Sequence, residues 1–202
     1  MANRSYLSVT NTDTIYPSTA EADFTPEEQT VAQGVYCVPV LWFALFRPTD
    51  IRSQVFDVQG DKVTGIAPIS DVAVALSQLK AAIPSLNEMF KRQGKFDGYA
   101  DLLSQAIQST GRKYVTIESE EIACMGDPDE FYDDFKTALN AINNAESLAV
   151  GQERLLKLSE IPANVRFPSA NCIIENHKVS DEEMDAHSRL IGCAWIRKVP
   201  WE

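Results

Sequence analysis

An apolar run of twelve residues, Val35 to Phe46, interrupted only by Pro39, lies between Gly34 and Arg47-Pro48 and constrains this chain more than any other feature. It is well short of the ~20 apolar residues that cross a bilayer, so the rest of the protein is expected to enclose it. Where nearly every position is apolar, periodicity cannot separate a buried strand from a buried helix. Pro39 argues against a central strand, because it has no N–H to give to a ladder. A buried helix is therefore expected, beginning near Pro39 and stopped by Arg47-Pro48, since the residue before a proline is pushed out of the helical region. Enclosing such a segment takes a large core. The chain has 202 residues, 45% of them hydrophobic, enough to bury about 70% of its unfolded surface without disulfides or metal.

The flanking segments supply both kinds of element. Ser5 to Thr10 alternates Tyr6, Ser8 and Thr10 with Leu7 and Val9, a strand pattern, and a polar loop follows from Asn11 to Ala22. Thr25-Pro26-Glu27-Glu28 carries a cap, a first-turn proline and a capping-box acid, which predicts a short helix ended by Gly34. Ser53 to Ile66 reads as a hairpin turning at Gln59-Gly60-Asp61. Ser70 or Asp71 caps a helix through Val72, Ala75, Leu76, Leu79 and Ile83, which Pro84 is expected to break or kink. A helix over Phe96 to Ile107 stops at Gly111, and Lys113 to Glu118 alternates as a half-buried strand. Asp127-Pro128-Asp129-Glu130 opens a helix with the buried stripe Phe131, Phe135, Ala138, Leu139 and Ile142.

A helix over Gln152 to Leu158, preceded by Gly151 with no side chain to cap it, should end before Pro162. The capping box Ser180-Asp181-Glu182-Glu183 starts a helix through Met184, His187 and Ile191 that Gly192 terminates. Cys193 to Val199 reads as a final strand. Helices and strands are mixed without strict βαβ alternation, and no linker divides them. The expectation is a single α+β domain, residues 1–202, of short, mostly antiparallel strands packed with about six helices.

Twenty-nine Asp and Glu oppose eighteen Lys and Arg, a net charge of −11. The basic residues occur as singles and pairs such as Arg112-Lys113, not in the clusters that displace counterions from nucleic acid, so nucleic acid is excluded as an expected partner. An anionic membrane is disfavoured on the same ground. The acids are segregated: residues 1–34, 118–134 and 175–185 hold eighteen acids and two bases, against eleven and sixteen elsewhere. The polar start, Met1-Ala2-Asn3-Arg4-Ser5-Tyr6, lacks the apolar core of a secretory signal, so a cytoplasmic protein is expected. There Cys37, Cys124, Cys172 and Cys193 are expected as reduced core thiols.

Chemistry-bearing motifs are few. There is no G-x-G-x-x-G and no G-x-S-x-G, and Gly60 to Gly65 lacks the Lys-Ser/Thr that completes a P-loop. No C-x-x-C or H-x-x-x-H spacing offers a zinc site. Asp127, Asp129 and Glu130 lack the sixth-position glycine and the distal Glu of a calcium loop, and helix capping accounts for them. Neither cofactor nor metal is expected. A thiolate nucleophile needs a base, which leaves Cys172 with His177, or Cys193 with His187, as candidate pairs. A converging carboxylate pair is the other route to a hydrolase or transferase.

The stretch Glu118 to Asp134 packs eight acids into seventeen residues beside the aromatic Tyr132. Carboxylates at that density speed encounter with a basic protein, and an aromatic residue supplies anchoring energy. The candidate partner-binding residues are Glu118, Glu120, Glu121, Asp129, Tyr132, Asp133 and Asp134. The opening Met1-Ala2-Asn3-Arg4-Ser5-Tyr6-Leu7 and the ending Val199-Pro200-Trp201-Glu202 resemble the ends of small bacterial proteins grouped as an uncharacterised domain family. That resemblance implies no assigned activity and no functional residue, and it fits the small acidic proteins found as immunity proteins beside bacterial toxins. The expected function is a non-enzymatic, immunity-type inhibitor that neutralises a basic toxin, such as a nuclease with a positive cleft. The alternatives are the hydrolase or transferase above, and a subunit or scaffold, which would have to expose part of Val35 to Phe46. The oligomeric state is left open.

Overall fold

The computed structural model of the chain describes residues 3–15, 29–58, 60–144, 147–174, 180–194 and 199–201. Its strands are β1 (Arg4–Thr10), β2 (Gln29–Val35), β3 (Ile51–Val58), β4 (Asp61–Asp71) and β5 (Tyr114–Glu118). They pair antiparallel in the order β2-β1-β5-β4-β3, and an isolated bridge joins Gln33 to Cys193 at the β2 edge. The helices are α1 (Val40–Phe43), α2 (Val72–Met89), α3 (Asp97–Gln108), α4 (Glu120–Ala123), α5 (Pro128–Asn144), α6 (Leu148–Leu158), α7 (Ala170–Ile174) and α8 (Asp181–Ile191). The fold is α+β, with eight helical segments among the described residues where about six were expected; α4 and α7 had no sequence counterpart.

Pairing β1 with β5 sets Leu7 beside Ile117 and Val9 beside Val115 on one sheet face. All four are fully buried in the core that also holds Leu79, Leu86, Leu103, Phe135 and Leu139 of the helices. Each such side chain contributes about 1.5–3 kcal/mol relative to exposure. On the other face Ile15 and Ala67 pack with Ile69, and Thr116 is buried as well. The expectation of a half-buried β5 is corrected for that reason: it is the central strand, and the Thr116 hydroxyl donates to the Pro68 carbonyl at 2.9 Å.

The apolar run does what its composition demands. Cys37 to Phe46 is buried throughout, with α1 beginning after Pro39, while only Val35 and Tyr36 at its start are exposed. The part of the run left open to a partner is therefore confined to Val35 and Tyr36. Trp42 donates through Nε1 to the Ile191 carbonyl at 2.9 Å, and Trp201 donates to the Gly192 carbonyl at 3.0 Å. Two indoles thus satisfy carbonyls at the end of α8, groups that a helix leaves without internal partners. Gly192 has φ +89°, and a Cβ there would lie 2.7 Å from Trp42 Cζ2, so this helix stop is also a packing contact.

Several expectations were local and gave way to pairing or packing. The helix expected from Thr25 to Gly34 is replaced, from Gln29 on, by β2; residues 25–28 lie outside the described set. β2 exists because β1 pairs with it, from Arg4–Val35 to Val9–Gln29. Pro84 does not break α2, which runs unbroken through it. Ala82, Ile83 and Leu86 are buried on both sides of the proline, and that packing offsets one missing hydrogen bond. Of the four thiols only Cys37 is a core thiol, and burial pushes it up to about 12; Cys124 is exposed in the turn after α4. The strand expected at Cys193 to Val199 is described only at its ends.

Gly151 does not precede α6 but sits inside it, buried against α5. A Cβ there would fall 2.2 Å from the Ala141 Cβ. Neither group can rotate away, so the helices must separate. Gly151→Ala is expected to destabilise by about 2 kcal/mol, against the ~1 kcal/mol gain that alanine ordinarily brings to a helix interior; an unchanged urea midpoint would refute the close contact. Among the described residues, no helix is long and apolar enough to cross a membrane.

Candidate functional site

The acidic stretch folds as the end of β5, the short α4, an exposed turn at Cys124-Met125-Gly126, and the start of α5. Asp127 caps α5 as expected, its Oδ1 accepting the Asp129 N–H at 2.9 Å and the Glu130 N–H at 3.3 Å. The Glu121 carboxylate accepts the Arg4 backbone N–H at 2.9 Å, and Glu118 Oε1 accepts the Ser8 hydroxyl at 3.3 Å. Glu120 lies beside Glu121 in the first turn of α4, and Asp129 is exposed in the first turn of α5. Asp133 is exposed, with Lys136 Nζ 3.8 Å away.

Two of the seven candidate residues are not surface groups. Tyr132 is buried, and its hydroxyl donates to the Ile66 carbonyl at 3.0 Å. Burial pushes its phenol up to about 12, and the ring stands edge-on to Phe131, so it cannot anchor a partner. Asp134 is also buried and is neutralised within the fold, by Arg154 Nε at 3.1 Å and Lys157 Nζ at 2.7 Å. Lys157 reaches Glu130 as well, at 2.6 Å. The helical phase carried this information: Tyr132 stands three and seven residues before the core residues Phe135 and Leu139, and Asp134 four before Ala138.

The acidic segments do not all meet. Glu121 lies at the Arg4 end of β1, whereas Asp13 follows the opposite end and pairs with Arg52 of the edge strand β3 at 2.6 Å.

What α4, α5 and α6 enclose instead is an open groove of about 370 Å³. Met125, Phe131 and Tyr36 give it apolar walls, and Asp127, Glu130 and Glu160 stand among its lining residues. Tyr36 is 47% exposed and Met125 50%. Tyr36 and Glu160 have φ of +59° and +54°, in the left-handed region. Such backbone costs of order 1–3 kcal/mol per residue and persists only where its surroundings enforce it. Here they do. Tyr36 N–H donates to the Asn3 carbonyl at 2.9 Å, and Val38 N–H donates to the Leu158 carbonyl at 3.0 Å. The Ser159 hydroxyl donates to the Val38 carbonyl at 2.6 Å, and Arg189 donates to the Glu160 carbonyl at 2.8 Å. Nothing in the local sequence signals Tyr36, which is the second residue of the apolar run.

His187 is buried at 3% exposure, and its Nδ1 lies 3.3 Å from the Tyr99 hydroxyl. Burial pushes the imidazole down to about 4. It is a buried, neutral group. His177 lies outside the described residues. Among the described residues no three His, Cys, Asp or Glu side chains gather as a metal site. No protein-family model, no curated protein and no solved structure matches this chain.

Proposed function

We propose that this protein is a non-enzymatic binding protein, an immunity-type inhibitor that captures a basic protein partner, such as a toxin, in the groove beside α4. The observation that carries the reading is the pair Tyr36 and Glu160, two residues held in left-handed backbone on one open groove. Strain of that kind concentrates where a surface is shaped for a ligand. The exposed tyrosine and Met125 offer apolar area, and a tyrosine ring face also accepts a Lys or Arg side chain. Asp127, Asp129 and Asp133 on the first turns of α5, with Glu120 and Glu121 on α4, supply the steering charge. Inhibition would be steric and electrostatic, without turnover.

The test begins with identification of the protein retained from the source cells on immobilised wild-type chain, followed by binding kinetics with that protein purified. The expected partner is basic, and its on-rate falls at least about tenfold between about 20 and 200 mM salt, as steered association does. Tyr36→Ala is expected to raise the off-rate about 30-fold, the effect of losing a ~2 kcal/mol anchor. A partner whose on-rate ignores salt, or whose off-rate ignores Tyr36→Ala, would overturn the reading.

A further inference from the structure

We propose that a second groove, opposite in charge and running along α6 from Leu148 to Leu156, receives an acidic peptide segment carrying an apolar side chain. It has a volume of about 690 Å³ and lies between the end of α2 with the turn after it, α6 from Leu148 to Leu156, and the loop that follows α6. Gln93 builds it. This side chain is 8% exposed; its Nε2 donates to the Ala163 carbonyl at 2.9 Å, and its own backbone carbonyl accepts the Phe167 N–H at 2.9 Å. Phe167 is in turn wedged against Phe90 and Phe96, with ring centroids 5.8 and 5.7 Å apart. The two walls are therefore fixed to each other and to the core.

Each wall presents one arginine next to this clamp. Arg92 precedes Gln93, Arg166 precedes Phe167, and both are exposed and line the groove. Neither makes an ion pair among the described residues, whereas neighbouring Lys91 is held by Glu88 at 2.6 Å. Guanidinium groups bind carboxylates in bidentate fashion and remain charged at any working pH. The floor is aliphatic, with Met89, Leu148 and Leu156. Among the described residues no aromatic ring lines the groove to stack a base, which disfavours single-stranded nucleic acid. The aliphatic floor leaves a bare inorganic anion with nothing to cover it. An acidic residue flanked by leucine-like side chains satisfies both the rim and the floor. This inference is independent of the acidic groove, because the two share no lining residue.

The experiment is an NMR titration of isotope-labelled full-length chain with a short capped peptide of glutamates flanking leucine. Amide shifts are expected at Arg92, Gln93, Gln152, Leu156, Asn164 and Arg166, with binding weakened at least about tenfold in the Arg92→Glu/Arg166→Glu variant. The thermal midpoint of that variant should match wild type, since both side chains are exposed and make no ion pair among the described residues. The matched lysine–leucine peptide should cause no shifts there. Absence of shifts at about 1 mM acidic peptide would overturn the proposal. So would tripolyphosphate producing the same shifts at lower concentration than the peptide, which would assign the groove to a free phosphate anion.

Discussion

Trp42→Ala is expected to lower the unfolding free energy by about 4 kcal/mol, the range for truncating a large aromatic side chain in a closed core. Trp42 has no exposed surface, so the whole indole volume becomes a cavity unless its neighbours collapse. Collapse is hindered, because the ring packs against the backbone of Gly192 and donates to the Ile191 carbonyl. Its removal also leaves that carbonyl without its donor, which costs about 1–3 kcal/mol in a buried setting. Trp42→Phe separates the two contributions, keeping most of the packing while losing the donor, and should cost about 1–2 kcal/mol. Guanidinium unfolding of both variants measures this. If Trp42→Ala unfolds at the wild-type midpoint, the enclosed position of the apolar run is wrong.

The second large effect is a loss of stability in mild acid. His187 titrates near 4 in the folded protein because burial disfavours its cation, against about 6.5 for an unperturbed imidazole. The Tyr99 hydroxyl donates to the Pro168 carbonyl at 3.0 Å, so it accepts from His187 Nδ1–H, which fixes the neutral tautomer. Below about pH 6.5 the unfolded chain takes up a proton that the folded chain refuses, and stability falls as pH drops until the folded group also titrates near 4. The loss should reach about 2 kcal/mol between pH 7 and pH 5, a window above most carboxylate titrations. Urea unfolding at both pH values, on wild type and His187→Gln, isolates it. The variant should lose most of the pH 7 to 5 slope, and an equal slope in both proteins would rule out the buried neutral imidazole.

Where local pattern and structure agree, one residue or one short window holds the physical cause. Asp71, Asp127 and the Ser180–Glu183 box supply oxygen acceptors to N–H groups two or three residues away, and no distant partner is needed. The hairpin at Gly60 and the stop at Gly111 are local for the same reason, since both have positive φ. The failures involve partners far along the chain. β2 looked helical because its upstream residues cap well, yet its hydrogen bonds go to β1. Gly151 looked like a boundary because its close neighbour, Ala141, lies on another helix. Tyr132 and Asp134 sit in a run dense in charge, and it is their helical phase that turns them inward.

The amino-acid order alone determined that most of the apolar run, Cys37 to Phe46, would be enclosed, that mixed strands and helices would do it, and that the surface would be strongly acidic. Those properties follow from hydrophobic transfer, capping and charge counts, which act residue by residue or over a single turn. Which carboxylates remain available, and which aromatic residue stands beside them, only the tertiary structure decided. Lys157 and Arg154 reach Asp134 from α6, and the bonds of Val38 to Leu158 and Ser159, with that of Tyr36 to Asn3, fix the backbone that holds Tyr36 outward. Both depend on separations of twenty residues or more. No local pattern encodes such contacts, because the free energy that enforces them comes from packing the whole core.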